Sequence, residues 1–301
     1  MNIIDNKQKV MGLARKVSCL CSVACLMLAA LLSISRSSHA ENFPQPLRDS
    51  GGNLLPFTGA QLPSALVPNQ FGGQTMEILQ TDERATLNWQ SFDIRGANNE
   101  VRFLQPQSSS IALNRVMGES SSVIDGRLTA NGQIYIINQN GLLFTPNAQV
   151  NVHSLIASTL DIEQQVFDGA GIVNTLQAAE NDNVALQTPS FQHLGEDAAG
   201  SLIVEAGAVI QSAQGGRVML VAPEVFNGGT IETPQGQTIL AAAQDKVYLA
   251  ASTDEDLRGL LVEVNLGGTA TNSGTLFADQ GNVTMVGLAV NQQGVARATT
   301  S

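Results

Sequence analysis

Cysteine is nearly absent from this chain: Cys19, Cys21 and Cys25 are the whole complement of 301 residues, and all three precede residue 40. Beyond that point there is no disulfide to form and no thiol nucleophile, so folding in an exported compartment needs no oxidation step. Aromatic residues are scarce at 4%, with Trp89 the only tryptophan, and lysine beyond residue 40 is reduced to Lys246. Five of the 15 Lys+Arg and one of the 26 Asp+Glu lie in residues 1–40, which leaves ten against 25 and a net charge of −15 for the remainder. Such a surface repels phosphate backbones and anionic lipid, which excludes nucleic acid as a partner class. His153 and His193 are the only histidines after residue 40 and have no metal-ligand spacing. There is no Gly-x-Ser-x-Gly elbow, no calcium-binding nonapeptide repeat and no phosphate-cradling glycine loop. The chain is expected to carry no metal, no cofactor and no catalytic residue.

What is present begins with an export signature. Lys7, Lys9, Arg15 and Lys16 precede an apolar run over residues 19–34, and Ser38-His39-Ala40 places small residues at the −3 and −1 positions. A basic region, a short apolar stretch and a small-x-small site make a secretory signal peptide over residues 1–40, cleaved after Ala40. Cys25 follows Ser22-Val23-Ala24, which lacks the leading Leu of a lipoprotein site.

The remaining residues read as β-structure. Short runs of Val, Ile, Leu and Phe recur between Asn, Gly, Ser and Pro, the punctuation of strands and tight turns. No stretch keeps a 3.6-residue period over four turns. Residues 41–83 form a leading segment and the start of an N-terminal cap, followed by one β domain over residues 84–301. Repeats are clearest over 200–301. GGRVMLVA (215–222), GQTILAAA (236–243) and GNVTMVGL (281–288) form one unit; VFNGGTI (225–231) and ATNSGTLF (270–277) form another. Gly216 and Gly236 are 20 residues apart, and Asn227 and Asn272 are 45 apart. A step near 20 residues with insertions is that of a parallel β-helix, each coil adding about 4.8 Å. Alternation over Leu202/Val204, Val218/Leu220/Ala222, Ile239/Ala241 and Val247/Leu249 predicts inward faces at those positions. The phase slips at Gln90-Ser91, which predicts a corner there, with Trp89 in the core or cap. Residues 134–137 are apolar on both faces and should be buried on both. Residues 163–199, rich in Gln, Asn and acids, are expected to leave the coils as an excursion or hairpin.

The order of five pieces is more specific than the composition: NWQSF (88–92), ALNRV (112–116), GRLTANGQ (126–133), INQNGLLF (137–144) and ASTLDI (157–162). Together they resemble the haemagglutination-activity, or two-partner-secretion, domain of filamentous-haemagglutinin-type exoproteins, over roughly residues 55–301. The resemblance implies an all-β, right-handed parallel β-helix with an N-terminal β cap and extrahelical hairpins. It implies a secreted or cell-surface adhesin-type product, passing the general secretory translocon and the periplasm of a Gram-negative bacterium. Its outer-membrane partner would be a transporter barrel with periplasmic recognition domains, and receptors would be engaged by sequence further downstream. The family's Asn-Pro-Asn-Gly-Ile motif falls on Asn138, Gln139, Asn140, Gly141 and Leu142, with Gln for Pro and Leu for Ile. Asn-x-Asn-Gly is also a turn signal in its own right, so recognition and simple turn formation both remain readings of it. Near an upstream motif of some family branches stand Asn114 and Arg115.

Parallel β-helices also carry polysaccharide-cleaving enzymes, which need clustered carboxylates. Asp254-Glu255-Asp256 with Arg258 is the best such cluster, and it reads as a solvated loop. The alternative function is therefore a carbohydrate-active or glycan-binding β-helix, against which the coils present Thr, Gln and Asn. The chain stops at VNQQGVARATTS, just after an apolar coil. That predicts either the leading part of a longer exoprotein or a short relative, with a frayed, aggregation-prone last coil.

Overall fold

A computed structural model describes residues 42–169, 172, 189–195, 197–251 and 259–299. The signal peptide with its Ala40 site and the 254–258 cluster lie outside the described residues.

The chain winds through three parallel sheets, delivering one strand to each in turn. The coil Gln133–Ile137, Leu142–Phe144, Gln149–Val152 then returns to the first sheet at Ser154–Ser158, where Leu155 sits opposite Ile134 and Ala157 opposite Ile136. The sheets contain ten, six and nine strands. Register follows the sequence repeats. Arg217 pairs Gln237, which pairs Asn282; Val225 pairs Ala270; Asn227 pairs Asn272. This is the all-β parallel β-helix implied above. The parallel stack already includes Gln74–Leu79, paired with Glu100–Leu104, and so begins inside the 41–83 segment.

The N-terminal end is closed by antiparallel pieces. Gln45–Pro46 pairs the strand Arg84–Ser91, and Val67–Pro68 pairs Gln74–Leu79. Phe43 and Phe57 cover the first coil beside Trp89 and Phe92, with the Phe57 and Phe92 rings 4.8 and 5.5 Å from Trp89. After Ser91 the chain turns, and Phe92 and Ile94 re-enter the same core as Leu87 and Trp89. The phase slip at Gln90-Ser91 is thus a coil corner.

Two apolar clusters exist, and their separation follows from the two faces of the first sheet. Inside the coil, Leu87, Asn114, Ile136, Ala157, Leu220 and Leu240 stack one above another, apolar but for the asparagine. Outside it, Leu113, Tyr135, Ile137, Ile156, Met219 and Ile239 form a second cluster. Residues 134–137 are buried on both faces, as the sequence predicts. For Ile239/Ala241 and Val247/Leu249 the inward assignment is corrected. These residues lie in the outer cluster, while Leu240 and Ala242 point in. The run ILAAA is apolar at every position, so alternation gives no phase there.

Two excursions cover the outer cluster. One leaves after Ser154–Ser158, forms the short helix Gln164–Asp168 and returns at Phe191–Gln192, antiparallel to the strand Gln237–Ala251. The other is a hairpin: Gln237–Ala251 overshoots its coil, and Leu260–Gly267 folds back against it. At the far end, the strands Asn282–Val286, Ala289–Gln292 and Val295–Thr299 are all paired in register with the coil before them. On this last described coil Leu288 is 85% exposed and Val295 55%.

Candidate functional site

The five residues of the 138–142 motif form one turn at the corner between the first and second sheets. Asn138 is fully buried. Its carbonyl accepts the Gly141 N–H at 3.1 Å, closing a four-residue turn. Neither Gln139 nor Asn140 has a positive φ, which makes 139 and 140 the central positions of a type I turn. The Asn138 side chain completes it: Oδ1 accepts the Asn140 N–H at 3.0 Å, and Nδ2 donates to the Ser120 carbonyl and Ser122 Oγ, both at 3.0 Å. Asn140 Nδ2 donates to the Gly118 carbonyl at 2.8 Å. Both asparagines thus tie the turn to the coil beneath. Gly141 has φ 119°, a conformation that disfavours side chains, and a Cβ there would meet the Ser201 carbonyl at 3.1 Å. The coil above closes over the same turn, with Gly200 N–H donating to Gln139 O at 2.7 Å and Leu142 N–H to Ser201 O at 3.1 Å. Leu142 is buried in the inner core.

Asn114 and Arg115 are neighbours in sequence and face opposite sides of the same strand. Asn114 is buried inside the coil, where its Oδ1 accepts Trp89 Nε1–H at 3.0 Å and its Nδ2 donates to the carbonyls of Ala112 and Tyr135. Arg115 lies outside, paired with Asp161 at 2.9 Å and bonded to the Ile162 carbonyl and Gln164 Oε1. Among the described residues no side-chain hydrogen bond of either reaches the 138–142 turn. The pair is two separate structural ties: Asn114 positions the tryptophan and Arg115 the excursion.

Electrostatics in this region concern structure. Burial raises the Glu100 carboxyl, but hydrogen bonds from Thr129, Arg102 and Thr75 outweigh it and hold the group below the usual range. Asp125, at the corner before Arg127–Ala130, is likewise raised by burial and more strongly lowered by bonds from Thr145, Asn147 and the Gly96 N–H, with Arg95 adding attraction. Burial pushes the Tyr135 hydroxyl up to about 12. Among the described residues no cluster of three His, Cys, Asp or Glu could hold a metal, and no helix is long and apolar enough to cross a membrane.

Sequence reasoning located the turn but not the residues that lock it. Ser120, Ser122 and Gly118 come from the coil before, and Gly200 and Ser201 from the far side of the excursion. No local pattern links them to Asn138.

With that geometry in hand, the comparisons decide the family: residues 60–299 match the family described as TPS secretion domain. The chain belongs to that family. It carries the secretion domain of an exoprotein exported by a two-partner system across the outer membrane of a Gram-negative bacterium, a system that implies an outer-membrane transporter partner. Domains of this kind are export modules. The fold matches the crystal structure of the HMW1 secretion domain from Haemophilus influenzae, with TM-score 0.62, 23% identity, and coverage of 81% of this chain and 60% of that one. Two curated relatives are heme/hemopexin-binding proteins of Haemophilus influenzae. The one from strain ATCC 51907 / DSM 11121 / KW20 / Rd is 38% identical over 135 residues, 45% of this chain and 15% of that protein. The other is 46% identical over 89 residues, 30% of this chain and 10% of that protein. The aligned part of this secretion domain is thus a small fraction of either relative.

Proposed function

We propose that this secretion domain is the address and folding start of a larger secreted adhesin. After the general secretory translocon delivers the chain to the periplasm, the periplasmic recognition domains of an outer-membrane barrel take it up, and the product acts at or beyond the cell surface. The observation that carries the reading is the family match over residues 60–299. A cap of Phe43 and Phe57 over Trp89 supports a role in starting the β-helix, since it closes the end that would otherwise pair with other chains. The 138–142 turn supports recognition through shape. Its asparagine side chains are spent on hydrogen bonds within the molecule, so the motif acts by setting the corner rather than by offering amides to a partner. Ligand choice belongs to sequence outside this domain, and the names of the two curated relatives make heme and hemopexin the first ligands to try on a full-length product.

The test is co-expression with and without a two-partner transporter barrel. Folded, signal-cleaved, protease-resistant β-structure in the medium only when the barrel is present is the expected result. Retention in the periplasm in both cases defeats the proposal.

A further inference from the structure

Stacked repeats couple chiefly to their nearest neighbours, so a bare solenoid melts in segments or from its ends. The excursion after Ser154–Ser158 breaks that rule, because its two described ends are anchored on coils far apart in the stack. The leading end lies over the N-terminal coils. Arg115 holds Asp161 and the Ile162 carbonyl, and Arg84 donates to the carbonyls of Phe167 and Gly169 at the end of the short helix. The Phe167 ring meets Tyr135 edge-on at 6.4 Å. The trailing end lies over the strand Gln237–Ala251, where Ser190 N–H donates to Val247 O and His193 N–H to Asp245 O, both at 2.8 Å. Between the ends, Asp161 and Gln192 exchange two backbone hydrogen bonds of 2.9 Å, and Ser190 Oγ donates to the Ile172 carbonyl at 2.6 Å. Beneath runs one unbroken apolar cluster, from Leu113 and Tyr135 through Ile156 and Met219 to Ile239 and Val247.

We propose that this excursion is a strap that fuses the first coils and the hairpin coil into a single cooperative unit. The argument is one of burial and pairing. Without the strap, Leu113, Tyr135, Ile137 and Ile156 face water on the outside of the first sheet, and Arg84 and Arg115 lose their bonds to it. The described parts of the strap have little support of their own: the helix is a single turn of five residues, far too short to persist alone, and the return strand of two residues pairs on Gln237–Ala251 and, within the strap, at Asp161 alone. Each end therefore needs the other, and the N-terminal coils gain their outer cover only when the strand Gln237–Ala251 is in place. Growth by independent coils from the cap is replaced by one concerted step spanning the stack.

Trp89 makes this directly measurable, since the only tryptophan reports on the first coil while far-UV circular dichroism reports on every sheet. Urea unfolding of the purified chain is expected to give one coincident midpoint for both signals. Phe191→Ala, which strips the trailing end far from Trp89 in sequence, is expected to move both midpoints down together by about 1 M urea. A Trp89 midpoint that stays put while circular dichroism gains an earlier phase overturns the strap. If Phe191→Ala does not fold, Phe191→Leu provides the same comparison with a smaller shared shift. Arg115→Met interrogates the other end: faster hydrogen exchange at the amides of Val247 and Leu249 is expected, and exchange unchanged there overturns the proposal as well.

Discussion

The replacement of Pro by Gln at position 139 is a single-residue question with a geometric answer. Gln139 occupies the second position of a type I turn, where Pro is favoured, and its N–H donates in none of the loop and turn hydrogen bonds described here. Gln139→Pro is therefore expected to stabilise the domain by roughly 0.4–1 kcal/mol, by narrowing the unfolded ensemble, with the gain read as a higher urea midpoint at unchanged slope. Asn138→Ala works in the opposite sense. It strands the Ser120 carbonyl and the Asn140 N–H, and loss of about 2–3 kcal/mol is expected in the same measurement; a change below 0.5 kcal/mol, on the order of a surface substitution, would mean that the amide is not the turn's lock. Glu100 gives a pH signature. Its folded pKa lies below its unfolded value near 4.3, so its stabilisation is present above about pH 4.3 and drains away as pH falls through the folded value. Thermal midpoints of Glu100→Gln should trail the parent at neutral pH and converge on it in acid; a gap constant with pH would refute this. At this scale the sequence was legible where a motif is local, as in Asn138, Asn140 and Gly141. It was silent on Arg115 with Asp161, because the pairing spans 46 residues and is created only by the winding.

At the scale of strands and corners, repetition is what made the fold readable. Glycines 216, 236 and 281 align in sequence and stack in space. A Cβ on Gly236 would sit 1.7 Å from the Gly216 carbonyl oxygen, and one on Gly281 2.2 Å from that of Gly236. Backbone cannot yield that much without parting two coils, so Gly236→Ala is expected to cost more than 3 kcal/mol, on the scale of severe core disruption, or to abolish soluble folded protein; ordinary circular dichroism and a near-parent midpoint would contradict it. The hairpin was legible as an interruption of the repeat, since the step from Asn227 to Asn272 is 45 residues where neighbouring coils need about 20, and the 163–199 excursion by its composition of acids among Gln, Asn and Ala. Their covering role was not. Ile239 and Leu240 are both apolar, and only the presence of a strap on the outer face decides that Ile239 is buried outside and Leu240 inside.

At the largest scale, the described coils form a stack whose N-terminal end is closed by the Phe43 and Phe57 cap. Leu288, Val290 and Val295 are exposed on the last described coil, next to an unpaired strand edge with Arg297 as its single charge. The 301-residue chain is therefore expected to self-associate, and Val290→Lys with Val295→Lys to suppress light scattering without shifting the unfolding midpoint. The amides of Asn227, Asn272 and Gln292 form a ladder up this stack, 2.7 and 3.0 Å between rungs. A ladder of that kind sets a pitch but no height, and it converts contour length into axial length at a fixed exchange rate. A coil of about 20 residues uses up roughly 66 Å of extended backbone and raises the stack by about 4.8 Å, a contraction of about fourteenfold. Winding this chain is thus a take-up reel: any length that emerges slack on one side of a barrier is drawn in far faster than the filament grows.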